Sequence, residues 1–529
     1  MHIRLHCRAA LVAGTAMGLI LGSCSTNLDT VSGAYPTYDP FIRLESPAAE
    51  SGGETGSPFV AARGPTPTLA PLSVTILPPP NGAALVTPTP DLPRSLPTPR
   101  QLADEYVVQP GDTLGAIAQS FGVGLESLLE ANNLISDDIL ELGAALKIPP
   151  PVPGAVGPAF KVIPDSELVF GPASADFDVQ AFVLAQGGYL AGYTEEIETQ
   201  VISGADVVAL IARDYSVNPR LLLAVLEHQS RWVTEVDPAA GSLDYPLGFV
   251  HPVRLGLYRQ LAWAANELNR GFYLWRANAA GTWVLHDGTV VPIDPTINAG
   301  TAAVQNLFAV LDDRSAWERD VTVYGLFQTY FFLFGNAFDL ALEPLMPHGL
   351  AQPSMQLPFE PGALWAFTGG PHAAWDAGSG WAALDFAPPD VMGCAVSDQW
   401  VAAARDGYVV RSSDGAVVQD LDGDGYEQTG WNVLYMHVFA QDRIPEGSYV
   451  YAGDRIGHPS CEGGVSNAAH LHLARKYNGE WIPADGTLPF VLGGWASAGG
   501  GREYDGFLRR GSLALEAAEG ASELNQIVR

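Results

Sequence analysis

Proline is concentrated in one part of this 529-residue chain, and this concentration constrains the architecture more than any other feature. Residues 31–100 contain 15 of the 41 prolines, mixed with Gly, Ser, Thr and Ala, and a second proline-rich run occupies residues 149–153. Proline has a fixed φ and no N–H, so such stretches interrupt helices and sheets and favour extended polyproline II. The sequence therefore predicts a multidomain protein with a tether at 24–103, folded segments at 104–150, 165–350 and 355–495, and a tail at 496–529.

The charge balance limits the partners. Acidic residues outnumber basic residues by 58 to 27, which gives a formal net charge of −31. Phosphate backbones repel a chain of this charge, so no nucleic-acid partner is expected. Hydrophobic residues make up 47% of the chain, which is enough to build several cores and excludes a wholly disordered protein.

The N-terminus has the features of an export signal. Two arginines precede an apolar run, Ala9–Gly22, that is shorter than the roughly 20 apolar residues needed to span a bilayer. The run leads into Leu21-Gly22-Ser23-Cys24, which resembles a bacterial lipobox. This resemblance implies a signal peptide at 1–23, lipid on the Cys24 sulfur, and an extracytoplasmic protein anchored to the bacterial membrane and facing the cell wall. The alternative is an ordinary secretory signal that is cut nearby.

The cysteines suggest one disulfide. Cys7 lies in the predicted signal and Cys24 is the predicted lipidation site, which leaves Cys394 and Cys461. Disulfides persist in exported proteins. We therefore predict that Cys394 and Cys461 pair, the alternative being two free buried thiols.

Residues 104–150 carry a compact set of motifs: Val107-Val108-Gln109-Pro110-Gly111-Asp112-Thr113-Leu114, then Asn132-Asn133-Leu134, then Leu146-Lys147-Ile148-Pro149. These motifs resemble a LysM module. The resemblance implies a small α+β fold of βααβ order that binds N-acetylglucosamine-containing glycans such as peptidoglycan. The alternative is a spacer of LysM shape that has lost its affinity.

Residues 165–350 are predicted to be mainly α-helical. The stretch from Tyr215 to Ser230 resembles the start of a lytic transglycosylase domain, in which a glutamic acid protonates the glycosidic oxygen. Gln229 occupies that position here, and an amide cannot donate and take back this proton. We therefore expect a lysozyme-like, non-catalytic domain. The open alternatives are an unrelated helical domain and, if Gln229 is not the equivalent position, glycan cleavage.

Three histidine contexts in the C-terminal part indicate a metal site. His372 follows a Gly-rich stretch and precedes Asp385 by 13 residues, and His437 ends an apolar run. His470 and His472 alternate with leucines, so on a β-strand both imidazoles point to the same face. Histidine and aspartate are typical ligands of divalent transition metals, and three such ligands with one open position are typical of catalytic zinc.

The motifs Gly369-Gly370-Pro371-His372 and Leu384-Asp385-Phe386, together with Ala469-His470-Leu471-His472, resemble the β-lytic branch of the lysostaphin-like zinc endopeptidases. Other branches place the first histidine where this chain has Trp381. The resemblance implies a mainly antiparallel β domain at 355–495 that holds one zinc ion with His372, Asp385 and His472. It also implies that His437 and His470 form the catalytic pair. Which of these two is the general base stays open.

An acidic stretch raises the question of calcium. Asp420, Asp422 and Asp424 resemble the start of an EF-hand loop, but the twelfth position is Trp431 rather than the bidentate glutamate that such a loop uses. Calcium binding here is a secondary hypothesis, and an acidic solvated turn is the alternative.

These features together predict a cell-wall zinc metalloendopeptidase that hydrolyses peptide bonds in the Gly- or Ala-rich cross-bridges or stems of peptidoglycan. The LysM module would target it to the wall. The alternative is a non-enzymatic lipoprotein that binds peptidoglycan or regulates another hydrolase.

Overall fold

The computed structural model describes residues 88–109, 112–135, 140–389 and 392–529. The predicted signal peptide, the predicted lipidation site Cys24 and most of the predicted tether lie outside the described residues. Within the described ranges, no helix is both long enough and apolar enough to cross a membrane.

The first module has the predicted βααβ order: β1 (Asp104–Val107), α1 (Leu114–Ser120), α2 (Leu125–Asn132) and β2 (Ala145–Ile148). β1 and β2 pair antiparallel. Helix α1 begins where the Thr113 hydroxyl accepts a hydrogen bond from the Ala116 N–H, a typical N-cap. The side chains of Ile117, Leu128 and Ile148 are buried between the helices and the strands.

Residues 91–100, which we predicted to be tether, are part of the folded structure. The Asp91 N–H donates to the Thr296 carbonyl at 2.9 Å, and the Arg94 guanidinium lies 4.7 Å from the centre of the Trp275 ring. Arg100 donates to carbonyls in and directly after the first module. The predicted tether boundary at 103 is therefore too late by about ten residues. Proline composition alone does not distinguish a free extended segment from one that lies against a domain.

The middle region is mainly helical, with two short hairpins. In chain order its elements are α3 (Val179–Gln186), α4 (Tyr189–Gly192), β3 (Thr194–Ile197), β4 (Gln200–Ser203), α5 (Gly204–Tyr215), α6 (Pro219–Ser230), α7 (Leu257–Arg276), β5 (Thr282–Val284), β6 (Val290–Pro292), α8 (Ala299–Leu311), α9 (Arg314–Asp320) and α10 (Leu326–Phe334).

Helix α7 lies at the centre of this region and packs closely on α8. Gly271 makes this possible, because a Cβ at that position would lie 2.7 Å from the Ala302 carbonyl oxygen. Next to Gln229, the carboxylate of Glu227 accepts hydrogen bonds from the N–H groups of Val233 and Thr234 at 3.1 Å. Glu227 thus closes the turn after α6, which is a structural role.

The C-terminal region is built from antiparallel strands, as predicted. They are β7 (Leu364–His372), β8 (Ala383–Ala387), β9 (Val401–Ala402), β10 (Gly407–Ser413), β11 (Ala416–Asp420), β12 (Trp431–Met436), β13 (Tyr449–Val450), β14 (Arg455–Gly457), β15 (Leu471–Tyr477), β16 (Glu480–Trp481), β17 (Val491–Leu492), β18 (Trp495–Gly499), β19 (Gly506–Arg510), β20 (Leu513–Glu516) and β21 (Gln526–Val528). The main sheet has the order β13-β10-β11-β12-β15-β8-β7-β21, and β16 also pairs with β15.

The segment 496–529 is not a tail, which corrects the predicted domain end at 495. Strands β17 to β20 form a second sheet, and β21 returns to pair with β7, where Ile527 lies opposite Trp365. Ile527 and Leu508 are fully or almost fully buried. The sequence of this segment is rich in Gly, Ala and charged residues, so its short strands give only a weak alternating signal.

The main sheet is covered on both faces. Along β12, Val433 and Tyr435 belong to a core within the β region, whereas Leu434 and Met436 belong to the core of the helical region. Because successive strand residues point to opposite faces, this division means that the helices pack directly on one face of the sheet. The helical region and the sheet therefore share one continuous hydrophobic core.

Buried charges also cross between the helical region and the sheet. Arg411 of β10 contacts Asp214 of α5 at 2.6 Å and Glu427 at 3.1 Å, and Lys476 contacts Glu427 at 3.4 Å. Burying such groups is unfavourable unless each charge has a partner, so this network favours one arrangement of the two regions.

A second buried carboxylate at this boundary predicts a pH-dependent stability. Glu480 is 2% exposed and accepts a hydrogen bond from Arg276 at 3.1 Å. Burial raises the pKa of Glu480 to about 7, although Arg276 opposes this shift. Between about pH 4.5 and 7 the folded protein keeps a proton that the unfolded chain releases, so stability falls as pH rises, by at most about 3 kcal/mol.

We expect Glu480→Gln to weaken this pH dependence, because a neutral amide has no proton to release. The measurement is the urea midpoint of unfolding at pH 5 and pH 8, for the Glu480→Gln variant and for the unchanged protein. Glu480→Gln should gain stability relative to the unchanged chain at pH 8. The exposed Glu446 supplies the matched control, Glu446→Gln, which should follow the unchanged chain. Parallel pH curves for all three proteins would contradict the prediction.

Candidate metal centre

Four adjacent strands bring the predicted site residues together. Asp385 on β8 lies opposite His472 on β15, and it also lies opposite Gly369 on β7, the strand that ends at His372. On the other side of β15, His472 lies opposite Met436, and His437 follows directly. Residues that are up to 100 positions apart in sequence thus form one row across the sheet.

Three donor atoms converge within this row. His372 Nε2 lies 3.2 Å from Asp385 Oδ1, His472 Nδ1 lies 3.3 Å from the same oxygen, and the two ring nitrogens are 2.9 Å apart. Ligands of a tetrahedral zinc ion, each 2.0–2.1 Å from the metal, are roughly 3.3 Å from one another. The separations of these three atoms fit such an ion.

The hydrogen bonds of the two rings fix which nitrogen carries the proton. His372 Nδ1 lies 2.8 Å from the Gly370 carbonyl, and His472 Nε2 lies 3.0 Å from the Ala374 carbonyl. A carbonyl only accepts, so these nitrogens carry the hydrogens of neutral rings. When both rings are neutral, His372 Nε2 and His472 Nδ1 present lone pairs to each other at 2.9 Å, an arrangement that repels unless a cation lies between them. Metal-binding histidines are typically oriented by such second hydrogen bonds.

The environment of the Asp385 carboxylate is also suited to binding a cation. Its carboxylate is 7% exposed, and Oδ1 is buried without a hydrogen-bond partner among the described residues. Burial alone would raise the pKa of this carboxyl group, but His372 and His470 hold it well below its usual range. The group is therefore ionised, and a buried, ionised carboxylate is unfavourable unless a positive charge lies beside it.

His437 and His470 lie beside these three residues, with ring centres 4.6 Å apart. His437 Nδ1 faces the Glu462 carbonyl at 3.2 Å, and His470 Nδ1 faces the Ala468 carbonyl at 2.8 Å. In neutral rings, each Nε2 is therefore the unprotonated nitrogen. Burial, followed by the proximity of His470 and His472, lowers the pKa of His437 well below its usual range, so His437 is neutral.

The predicted disulfide between Cys394 and Cys461 is confirmed. It joins the loop before β9 to the loop that precedes β15. The second loop also contacts His437, because the Ser460 N–H donates to the His437 carbonyl at 2.7 Å. The disulfide thus lies among the backbone contacts that hold His437 and the entry to the His470–His472 segment.

The sequence analysis missed two residues at the site, both in the segment taken for a tail. The Tyr504 ring stacks on His372 with centres 4.3 Å apart, and Glu503 accepts a hydrogen bond from the Ala373 N–H at 3.0 Å. The pKa of Glu503 is raised by burial. The only available signal is the run Gly499–Gly501, which marks a turn that brings this segment back to β7.

The acidic turn does not support calcium binding. Asp420, Asp422 and Asp424 lie close together. The Asp420 carboxylate accepts hydrogen bonds from the N–H groups of residues 422, 423 and 425, so its oxygens already serve the turn. Asp424 likewise accepts from Tyr426 and Thr429. The turn has the hydrogen bonding of an acidic solvated loop, and the calcium hypothesis is set aside.

Two family models match the chain. Residues 106–149 match the LysM domain, and residues 161–346 match the family described as LasA, N-terminal domain. The match over residues 106–149 confirms the predicted LysM module. The two matches also support the predicted resemblance to a LysM module combined with a lysostaphin-like peptidase. The predicted lysozyme-like shape of residues 165–350 is not confirmed, since the matching family is a different one.

Several solved structures resemble parts of the chain. Pseudoalterin, described as a novel M23 metalloprotease from the deep sea, aligns with 21% identity over 34% of this chain and 100% of its own, at a TM-score of 0.27. The catalytic domain of the antimicrobial peptidase lysostaphin from Staphylococcus simulans aligns with 24% identity over 23% of this chain and 87% of its own, at a TM-score of 0.17. A zinc-containing peptidase from Vibrio cholerae aligns with 19% identity over 26% of this chain and 41% of its own, at a TM-score of 0.20.

No curated protein matches the chain. At these scores and identities the structural alignments carry no argument about activity. The functional argument therefore depends on the geometry of the site.

Proposed function

We propose that this protein is a zinc metalloendopeptidase that hydrolyses peptide bonds in peptidoglycan. The observation that carries the proposal is the convergence of three donor atoms, from His372, Asp385 and His472, at separations of 2.9–3.3 Å. Each histidine presents a lone pair because a backbone carbonyl accepts the hydrogen of its other nitrogen. This donor set suits zinc.

The neighbouring histidines supply the proton transfers that peptide hydrolysis requires. A bound zinc ion would polarise the scissile carbonyl and lower the pKa of a bound water molecule toward about 7. A neutral imidazole with an unprotonated Nε2, at His437 or His470, can take a proton from the attacking water and return it to the leaving amine. The other ring, when protonated, can donate to the developing oxyanion.

The LysM segment is proposed to hold the protein on its substrate. Residues 106–149 match a domain family that we expected to bind N-acetylglucosamine-containing glycans. Residues 91–100 contact the helical region, Gly124 of the first module lies against Gly288 of the β5–β6 hairpin, and the helical region shares a core with the sheet. Glycan binding at one end would therefore keep the metal centre near the stem peptides. We propose Gly- or Ala-rich bonds as substrates, on the resemblance to the β-lytic type.

We also propose an extracytoplasmic location, with lipid at Cys24 as the anchor. A retained enzyme reaches only nearby wall, so the cell's own peptidoglycan is the proposed substrate. Mass spectrometry of the N-terminal peptide after expression in a bacterial host would show whether Cys24 becomes the lipidated first residue.

The test of the proposed activity is mass spectrometry of fragments released from purified peptidoglycan by the full-length protein. We expect new peptide amino termini that vanish with a zinc chelator and return when zinc is restored. The new termini also identify the bond. Tightly bound zinc without release would favour the binding or regulatory alternative. New anhydro-muramic ends would instead indicate glycan cleavage.

A further inference from the structure

The loop between β7 and β8, residues 373–382, lies between the metal centre and the helical region. On the metal side, the fully buried Ala374 accepts the hydrogen bond of His472 Nε2 at 3.0 Å. This bond keeps His472 Nδ1 directed at Asp385 Oδ1, 3.3 Å away. The orientation of His472 therefore depends on the position of this loop.

The loop is closed by its own hydrogen bonds. The Ala374 N–H donates to the Gly380 carbonyl at 3.0 Å, and the Ser379 N–H donates to the Asp376 carbonyl at 2.8 Å. The Asp376 side chain also accepts from the Ala377 N–H at 2.7 Å. Because these bonds link residues 376–380 to residue 374, a displacement of residues 376–380 is expected to displace the Ala374 carbonyl as well.

Two helices of the helical region hold the loop at those positions. Asn266 of α7 accepts a hydrogen bond from the Gly378 N–H at 2.7 Å. Tyr215, at the end of α5, donates its hydroxyl to Asp376 Oδ2 at 3.2 Å. The approach of α7 is so close that a Cβ on residue 378 would overlap the backbone carbonyl of Asn266.

We propose that Asn266 and Tyr215 are positioning residues for the metal centre. They act through the 373–382 loop, whose Ala374 carbonyl sets the ring of His472. The helical region is then an integral support of the site and not a spacer. This inference rests on the proposed zinc site, and it assigns a role to the region whose lysozyme-like interpretation is not confirmed.

The test compares full-length Asn266→Ala and Tyr215→Phe with the unchanged chain. Zinc affinity is measured by competition with a chromophoric chelator, and the geometry of the site is measured from the visible spectrum of the Co²⁺-loaded protein. Residues that orient metal ligands typically contribute 10- to 100-fold in metal affinity or activity. We expect zinc binding about tenfold weaker, an altered Co²⁺ spectrum, and a fall in kcat that exceeds any change in KM.

Ser216→Ala is the matched control. Ser216 adjoins Tyr215 and donates its hydroxyl to the Gly479 carbonyl at 2.7 Å, across the same boundary but away from the loop. This variant should lose thermal stability without any change in zinc affinity or Co²⁺ spectrum. If Asn266→Ala does not fold, the inference is tested by Tyr215→Phe alone, because this variant removes only a single hydroxyl.

Unchanged zinc affinity and spectrum in the loop-holding variants would overturn the inference alone. An unchanged chain that binds no zinc would overturn both this inference and the proposed function. If the unchanged chain binds zinc but hydrolyses nothing, and the variants still weaken binding, the inference stands and the proposed activity fails.

Discussion

Replacing His472 by alanine is expected to abolish zinc binding and peptide release together. His472 supplies one of three converging donor atoms. Its loss leaves only two protein ligands, His372 and Asp385, which is too few to hold zinc. The Lewis-acid contribution of zinc to hydrolysis amounts to several kcal/mol. A loss of about 4 kcal/mol corresponds to a fall in kcat/KM on the order of 10³-fold. The measurements are zinc content after dialysis and release of new amino termini from peptidoglycan.

The control for this experiment is His458→Ala. His458 lies in the same region, where its ring faces the Gln399 carbonyl at 2.9 Å and packs on Trp400; among the described residues, these ring contacts involve no site residue. This variant should keep both zinc and activity. If His472→Ala retained full activity, the ligand assignment would be wrong.

His437→Ala and His470→Ala separate ligation from proton transfer. Both rings lie beside the donor atoms, with His470 Nε2 3.6 Å from Asp385 Oδ1, and each has an unprotonated Nε2 in its neutral form. We therefore expect these variants to keep their zinc and to lose hydrolysis. A loss of zinc from either variant would move that histidine into the ligand set.

The candidate metal centre could be predicted from the sequence because its signals are local. The alternation of histidine and leucine at 469–473 places two imidazoles on one strand face, whatever the rest of the fold. His372 lies at the end of β7, and the apolar neighbours of Asp385 are typical of a strand, here β8. Which strands become neighbours is not local information, so the ligand set of His372, Asp385 and His472 was predicted through the family resemblance, and the row of strands is visible only in the structure.

The remaining features depend on contacts between distant segments. Tyr504 reaches His372 only because the β18–β19 turn folds back over β7, a contact that spans more than 130 residues. The helical content of residues 165–350 was predicted from the sequence, but the packing of these helices on the sheet is visible only in the structure. Along β12 the continuous apolar run, buried on both faces, was a signal for a covering layer that the sequence analysis did not use.

Deleting residues 496–529 is expected to prevent folding of the C-terminal region. The deletion removes β19, β20 and β21, nearly all of β18, and the buried side chains of Leu508 and Ile527. Each such apolar side chain contributes roughly 1.5–3 kcal/mol when buried. The deletion also exposes the edge of β7, the strand that ends at His372. Together these losses approach the total stability of a typical domain, about 5–15 kcal/mol.

A point variant in this segment tests the same argument without deletion. Asn525 is fully buried, and its side-chain amide donates to the carbonyls of Phe367, Ala518 and Gly520. Asn525→Ala removes the 3.0 Å hydrogen bond to the carbonyl of the fully buried Phe367, and a buried polar group left unpaired is unfavourable by about 1–3 kcal/mol, so the urea midpoint should fall. The adjacent Leu524 is 80% exposed, so Leu524→Ala should leave the urea midpoint unchanged.

The deletion is measured by soluble yield, protease resistance and zinc content of the shortened chain. We expect aggregation or rapid proteolysis, and no retained zinc, because the end of β7 is no longer held by β21 and the β18–β19 turn. A shortened chain that stayed folded and kept its zinc would restore the original prediction of a tail. Since Tyr504 and Glu503 lie in the deleted segment, that result would also mean that neither residue is needed to hold His372 in place.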